Sequence, residues 1–112
     1  MIDHIDETDQ AFALLARVLV AAVEDYRTLL RLGLVVGRTI CERKWPMGVI
    51  NRRMAPVMVW DRISHADATA TMTFLFGGDA ERLFRWVGLE VDVPAVVGQI
   101  MERMDAEAEG QA

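Results

Sequence analysis

Apolar residues recur through residues 12–29 at alternating spacings of three and four. Phe12, Leu15, Leu19, Ala22, Tyr26 and Leu29 form one stripe, which Leu14, Val18, Val23 and Leu30 widen. Arg17, Glu24 and Arg31, each seven apart, fall on the opposite side. The pattern predicts a long amphipathic helix over residues 8–36. Thr8 or Asp6 is placed to cap it, and Asp6, Glu7 and Asp9 suit its positive dipole end. Gly33 or Gly37 is placed to close it. A stripe this regular and this wide serves either the core of one chain or contact between copies. Phe12, Leu15, Leu19, Tyr26 and Leu29 are therefore the candidate oligomer seam.

The helical period stops near residue 37. Pro46 and Pro56 bar a continuous helix from 41 to 60. The short apolar pieces at 49–50 and 57–60 fit strands or buried loop equally. Residues 37–62 are expected to be an irregular connector, and no internal repeat is evident.

Helical patterning resumes over residues 63–105. Ser64 with Asp67 is a weaker relative of a capping box, and Met72, Leu75 and Phe76 share one helical face. Thr69, Thr71 and Thr73 alternate with Ala70, Met72 and Phe74, which is also a strand pattern; helix is the reading adopted. Gly77 and Gly78 end that segment. Asp79 is placed to cap a short helix over 80–87, with Gly88 and then Leu89 closing it. Asp92 opens the last helix, with Pro94 in its first turn. Val93, Val96, Val97, Ile100, Met101 and Met104 line its inner face. Residues 106–112 are expected to fray. The fold class is mainly α and single-domain: a long N-terminal helix, an irregular basic middle and a C-terminal helical hairpin with a helix-turn-helix outline. That outline lacks a groove-reading helix, since the last helix offers Gln99, Glu102 and a single base, Arg103.

Composition adds three constraints. Of 112 residues, 53% are hydrophobic, enough for one packed core, and the mean hydropathy of +0.19 points to self-association. The single cysteine, Cys41, rules out an internal disulfide. The N-terminal residues are acidic where a signal peptide is basic, and the apolar run 11–23 is shorter than the ~20 residues of a bilayer span. These features predict a cytoplasmic protein with no membrane contact.

Charge changes the picture of the middle segment. The chain has a net charge of -5, yet residues 37–62 carry six of its twelve basic groups: Arg38, Arg43, Lys44, Arg52, Arg53 and Arg62. Only Glu42 and Asp61 oppose them. Basic groups neutralise phosphates, and Trp45 and Trp60, interleaved with them, could stack on bases. Arg38, Arg43, Lys44, Arg52 and Arg53 are thus the candidate nucleic-acid contacts. The other reading makes both tryptophans core and the segment a solvated connector whose arginines pair with the acidic flanks.

Catalytic chemistry is sparse. His4 and His65 stand far apart and no Cys/His cluster has metal-ligand spacing. Cys41 with His65 is too common a coincidence to define a nucleophile and base. Asp25 beside Tyr26 fits an ion-paired carboxylate next to a ring sealing the core edge, and Gly77-Gly78 lacks any phosphate-loop pattern. The seven methionines suit adaptable packing. No enzyme, cofactor, metal or small-molecule substrate is expected.

The order A-A-V-E-D-Y-R, then M-T-F-L-F, then L-F-R-W-V-G-L-E-V-D-V-P-A-V-V resembles small helical proteins of phages, prophages and gene transfer agents. Asp25, Tyr26, Phe74, Phe76, Trp86, Gly88, Leu89, Asp92, Pro94 and Val97 hold comparable places. Glu90-Val91 departs from the pattern by separating Leu89 from Asp92, and the usual basic residues of the last helix are missing. The resemblance implies a non-enzymatic, oligomeric DNA-packaging role like that of small terminase subunits, with DNA and a large terminase-type motor ATPase as partners. The acidic balance of residues 63–112 supports a different expectation, a regulator or anti-host inhibitor that binds a protein partner.

Overall fold

The computed structural model describes residues 7–57 and 59–110. Capping by Asp6 or the Thr8 side chain lies outside what it describes, as does His4. Among the described residues the protein is mainly helical: α1 (Glu7–Arg31), α2 (His65–Phe76), α3 (Asp79–Trp86) and α4 (Val93–Gly110).

The N-terminal helix ends earlier than its apolar spacing predicts. Leu34 N–H donates to Leu29 O at 3.0 Å and Gly33 N–H to Leu30 O at 3.1 Å, with Gly33 at φ +74°. This left-handed closure satisfies the last carbonyls and turns the chain after Arg31, so 32–36 are not helical. Buried Leu29 and Leu34 provide the hydrophobic contact of such a cap.

The middle segment is ordered rather than irregular. Three antiparallel hairpins follow one another: β1 (Val35–Val36) with β2 (Thr39–Ile40), β3 (Met47–Ile50) with β4 (Arg53–Pro56), and β5 (Val59–Trp60) with β6 (Ile63–Ser64). A 3-10 turn, Glu42–Lys44, separates the first two. The hairpins also expose a repeat: V-V-G-R-T-I, V-I-N-R-R-M and V-W-D-R-I-S occupy 35–40, 49–54 and 59–64. Each turns on two residues, the second of which is arginine. Asn51, Arg52, Asp61 and Arg62 all have positive φ, as a two-residue primed turn requires. Pro46 and Pro56, which exclude helix, sit at the base of the second hairpin, where ribbon edges tolerate proline.

The core lies between α1 and α2 and is closed by α3 and α4. Leu19, Val23 and Leu29 meet Ala68, Met72 and Leu75, with Phe84, Val93 and Val97 beyond. Val96, Ile100, Met101 and Met104 pack on this core as their spacing predicts. Ser64 Oγ accepts from Asp67 N–H at 2.9 Å, so α2 is capped and helical through the ambiguous threonines. The cap of α3 is Gly78, not Asp79, whose carboxylate instead pairs with Arg82. The closure of α3 is as expected: Leu89 N–H reaches Phe84 O at 3.0 Å across Gly88. Asp92 Oδ1 accepts from Ala95 N–H at 3.3 Å at the start of α4. The tail expected to fray is helical as far as Gly110. The C-terminal pair is also not a self-packed hairpin: α3 and α4 both pack chiefly on α1 and α2.

The candidate oligomer seam is largely consumed by this core. Leu19, Tyr26 and Leu29 are buried within the chain, Leu15 packs against the core, and Phe12 meets the Phe84 ring edge-on at 6.1 Å. That stripe therefore faces α2, α3 and α4 of its own chain.

Candidate nucleic-acid interface

The three hairpins differ in how they are held. The first is pinned to the helices. Tyr26 Oη donates to Gly37 O at its turn, and the Tyr26 ring stands edge-on to Phe76 with centroids 5.1 Å apart. The Arg38 guanidinium lies 4.8 Å from the centroid of that Phe76 ring, a cation–π contact. Burial pushes the Tyr26 hydroxyl above its ordinary pKa, and Arg38 offsets part of that rise.

The third hairpin is tied to the 3-10 turn. Trp60 Nε1 donates to Lys44 O, and Glu42 Oε2 lies 2.7 Å from His65 Nε2 at the start of α2. Between them Trp45 is buried, its ring edge-on to His65 at 5.3 Å and its Nε1 without a partner among the described residues. Trp45 is thus core and cannot stack on a base, whereas Trp60 is partly exposed. The connector reading holds for one tryptophan and fails for the other.

The second hairpin projects. Its strands pair Met47 with Pro56, Gly48 with Ala55, Val49 with Met54 and Ile50 with Arg53. Among the described residues its main contacts are between its own two strands. At ~3.3 Å per residue, four-residue strands carry the turn more than ~10 Å beyond the base. The molecule measures 62 × 41 × 22 Å, with a radius of gyration of 17.0 Å. A compact chain of this length gives ~13 Å.

This geometry sorts the five predicted contacts. Arg52 and Arg53 crown the ribbon, exposed and without an ion pair among the described residues. Arg43 is exposed at the ribbon's base. Lys44 turns back: its Nζ lies 3.5 Å from where a Cβ on Gly33 would stand, beside the negative end of α1. Arg38 is committed to Phe76. The structure therefore brings Arg52 and Arg53 together at one tip, while Arg38 and Lys44 are exposed nearer the helices, beside Phe76 and Gly33. Sequence reasoning missed Arg62, which lines a cleft of about 360 Å³ with Asp25, Asp67 and Thr71 between α1 and α2. The repeated Val-x-Gly/Asn/Asp-Arg pattern was the available sign.

No group of three or more His, Cys, Asp or Glu side chains is placed to hold a metal among the described residues. No helix among them is long and apolar enough to cross a membrane. Fold and site together define an α-rich protein that carries a projecting ribbon with a basic tip. No protein-family model, curated protein or solved structure matches the chain.

Proposed function

We propose that the protein is a non-enzymatic, phage-type DNA-packaging factor that holds duplex DNA weakly and without sequence preference, through the tip of its ribbon. The observation that carries this reading is the placement of Arg52 and Arg53 at the end of an arm with no acidic residue between 47 and 57. The helices are acidic on balance, which disfavours DNA contact there and leaves the arm as the surface that attracts it. One copy neutralises only a few phosphates. Useful affinity then needs several copies acting together, as in an assembly that feeds DNA to a motor ATPase.

Fluorescence anisotropy on a duplex, titrated over salt, tests this. Log affinity falls linearly with log salt, with a slope of ~0.9 per phosphate neutralised. Arg52→Glu with Arg53→Glu abolishes binding and leaves the helical circular dichroism intact. Arg103→Ala on α4 changes little. Undiminished binding by the double variant defeats the reading.

A second reading rests on α4. Glu102, Asp105, Glu107 and Glu109 are exposed on a helix that persists to Gly110, a surface suited to a basic protein partner. Recovery of one host protein on the immobilised chain, unaffected by nuclease and lost on charge reversal of Glu107 and Glu109, favours that regulator.

A further inference from the structure

Among the described residues, two apolar surfaces are left exposed. The first is one face of the ribbon. Residues opposite one another in an antiparallel pair share a face, so Met47, Val49, Met54 and Pro56 lie together, while Ile50 and Arg53 lie on the other side. The first face carries no charge, and Val49 is 72% and Met54 61% exposed. The second surface is the outer side of α1. Leu14, Val18 and Ala21 follow a helical spacing of four and three, all exposed, and Leu14 is 62% so. The seam residues Leu19, Tyr26 and Leu29 are buried in the core, and Leu14 and Val18 flank them on the uncovered edge of the same stripe.

We propose that the charge-free ribbon face of Met47, Val49 and Met54 docks on the Leu14, Val18 and Ala21 face of α1 in a second copy of this chain. Three physical arguments select that occupant. An isolated two-stranded ribbon is only marginally stable in water and needs a helix or further strands against its apolar face. Among the described residues, no other element packs extensively on the ribbon. The other half is an unpartnered helix face of matching length: Leu14 to Ala21 spans ~10 Å at 1.5 Å per residue, and Met47 to Val49 plus the turn a similar distance.

The exposed area suits a weak association. Met47, Val49, Met54, Leu14 and Val18 are between 43% and 72% exposed. Reciprocal exchange, in which each copy gives its ribbon and receives one, then buries at most on the order of 500 Å² of apolar surface per copy. A standard interface takes ~800 Å² per partner, so this contact is a weak one that a polar rim completes. DNA does not suit the same face, because that face holds no cation to meet phosphate. This inference deepens the packaging reading, since docked ribbons leave Arg52 and Arg53 free at the tip and set several tips side by side.

The test combines mass with cross-linking, both without DNA. Sedimentation equilibrium of the full chain is expected to show self-association at about 100 µM or below. Leu14→Glu with Val18→Glu raises the dissociation constant at least ~100-fold and leaves the helical circular dichroism unchanged. In a Cys41→Ser background, Val49→Cys and Leu14→Cys are prepared separately. Mild oxidation of their equimolar mixture yields a covalent 1:1 dimer, and neither variant alone does. A monomeric wild type overturns the proposal. So does efficient cross-linking of Val49→Cys with itself, which means ribbon-to-ribbon pairing. An assembled wild type with no cross-link in the mixture places the interface elsewhere and also overturns it. A chain that assembles but fails the salt titration defeats the DNA reading and leaves this inference standing.

Discussion

Arg52 occupies a backbone conformation that glycine adopts more cheaply. Its φ is +66° and that of Asn51 is +49°, so the turn needs two left-handed residues where Asn-Gly is the favoured pair. A non-glycine residue there costs roughly 1–2 kcal/mol. A charged side chain kept at that cost, at the tip of an arm, is consistent with use of the charge. Arg52→Gly is therefore expected to stabilise the ribbon by ~1 kcal/mol and to weaken DNA binding at low salt. Denaturant titration followed by anisotropy measures both; a variant that binds as tightly as wild type ends the trade-off argument. Leu19 makes the opposite case. It is 3% exposed, so Leu19→Ala is expected to cost ~2–5 kcal/mol in unfolding free energy, read from the same titration. The inward side of α1 was legible residue by residue, because its apolar spacing reports burial directly. The tryptophans were not. Trp45 is buried, Trp60 is partly exposed and Trp86 is 84% exposed, and only the chain's path decides which is which.

At the scale of elements, the helices were readable and the hairpins were not. Periodicity, Ser64, Asp92 and the closing glycines carry local physical meaning that survives folding. The hairpin strands are two to four residues long, too short for alternation to accumulate. Two of the turns are Asn-Arg and Asp-Arg, which lack the glycine that usually marks them. The first hairpin depends on Tyr26, and that dependence has a pH signature. Burial raises the folded-state pKa of this hydroxyl above its unfolded value of 10.0. The folded state then holds the proton more tightly than the unfolded state. The associated stability is complete below the unfolded value and lost as pH climbs through the higher folded one. Wild type is thus expected to lose stability above pH 10.0 in part through Tyr26. Tyr26→Phe is expected to be less stable by ~1 kcal/mol at neutral pH, having lost the bond to Gly37 O, and to show a shallower alkaline decline. Parallel alkaline profiles for the two proteins rule out the linkage.

The whole molecule divides into a body of packed helices and an arm whose main contacts, among the described residues, are between its own strands; the body is expected to fold without the arm. The base of the ribbon makes this testable, since Val57 N–H already reaches Pro46 O at 3.3 Å. Residues 47–56 can be replaced by two glycines, because a four-residue turn holds its ends within ~7 Å. None of the excised residues belongs to the buried core, to which residues 37–62 contribute Trp45. The shortened chain is expected to keep its helical circular dichroism and, in dilute solution, to melt within about 5 °C of wild type. It is expected to lose both self-association and DNA binding. Loss of helical structure would show that the ribbon supports the body, and the modular account fails. Retained assembly would move the contact between copies away from the ribbon, even with the helices intact. The charge distribution gives the same division, an acidic body of helices and a basic arm with no acid of its own. Removing ten residues therefore makes the whole chain more acidic by two charges, Arg52 and Arg53. What remains is expected to show no binding to duplex DNA at low salt, where wild type binds best.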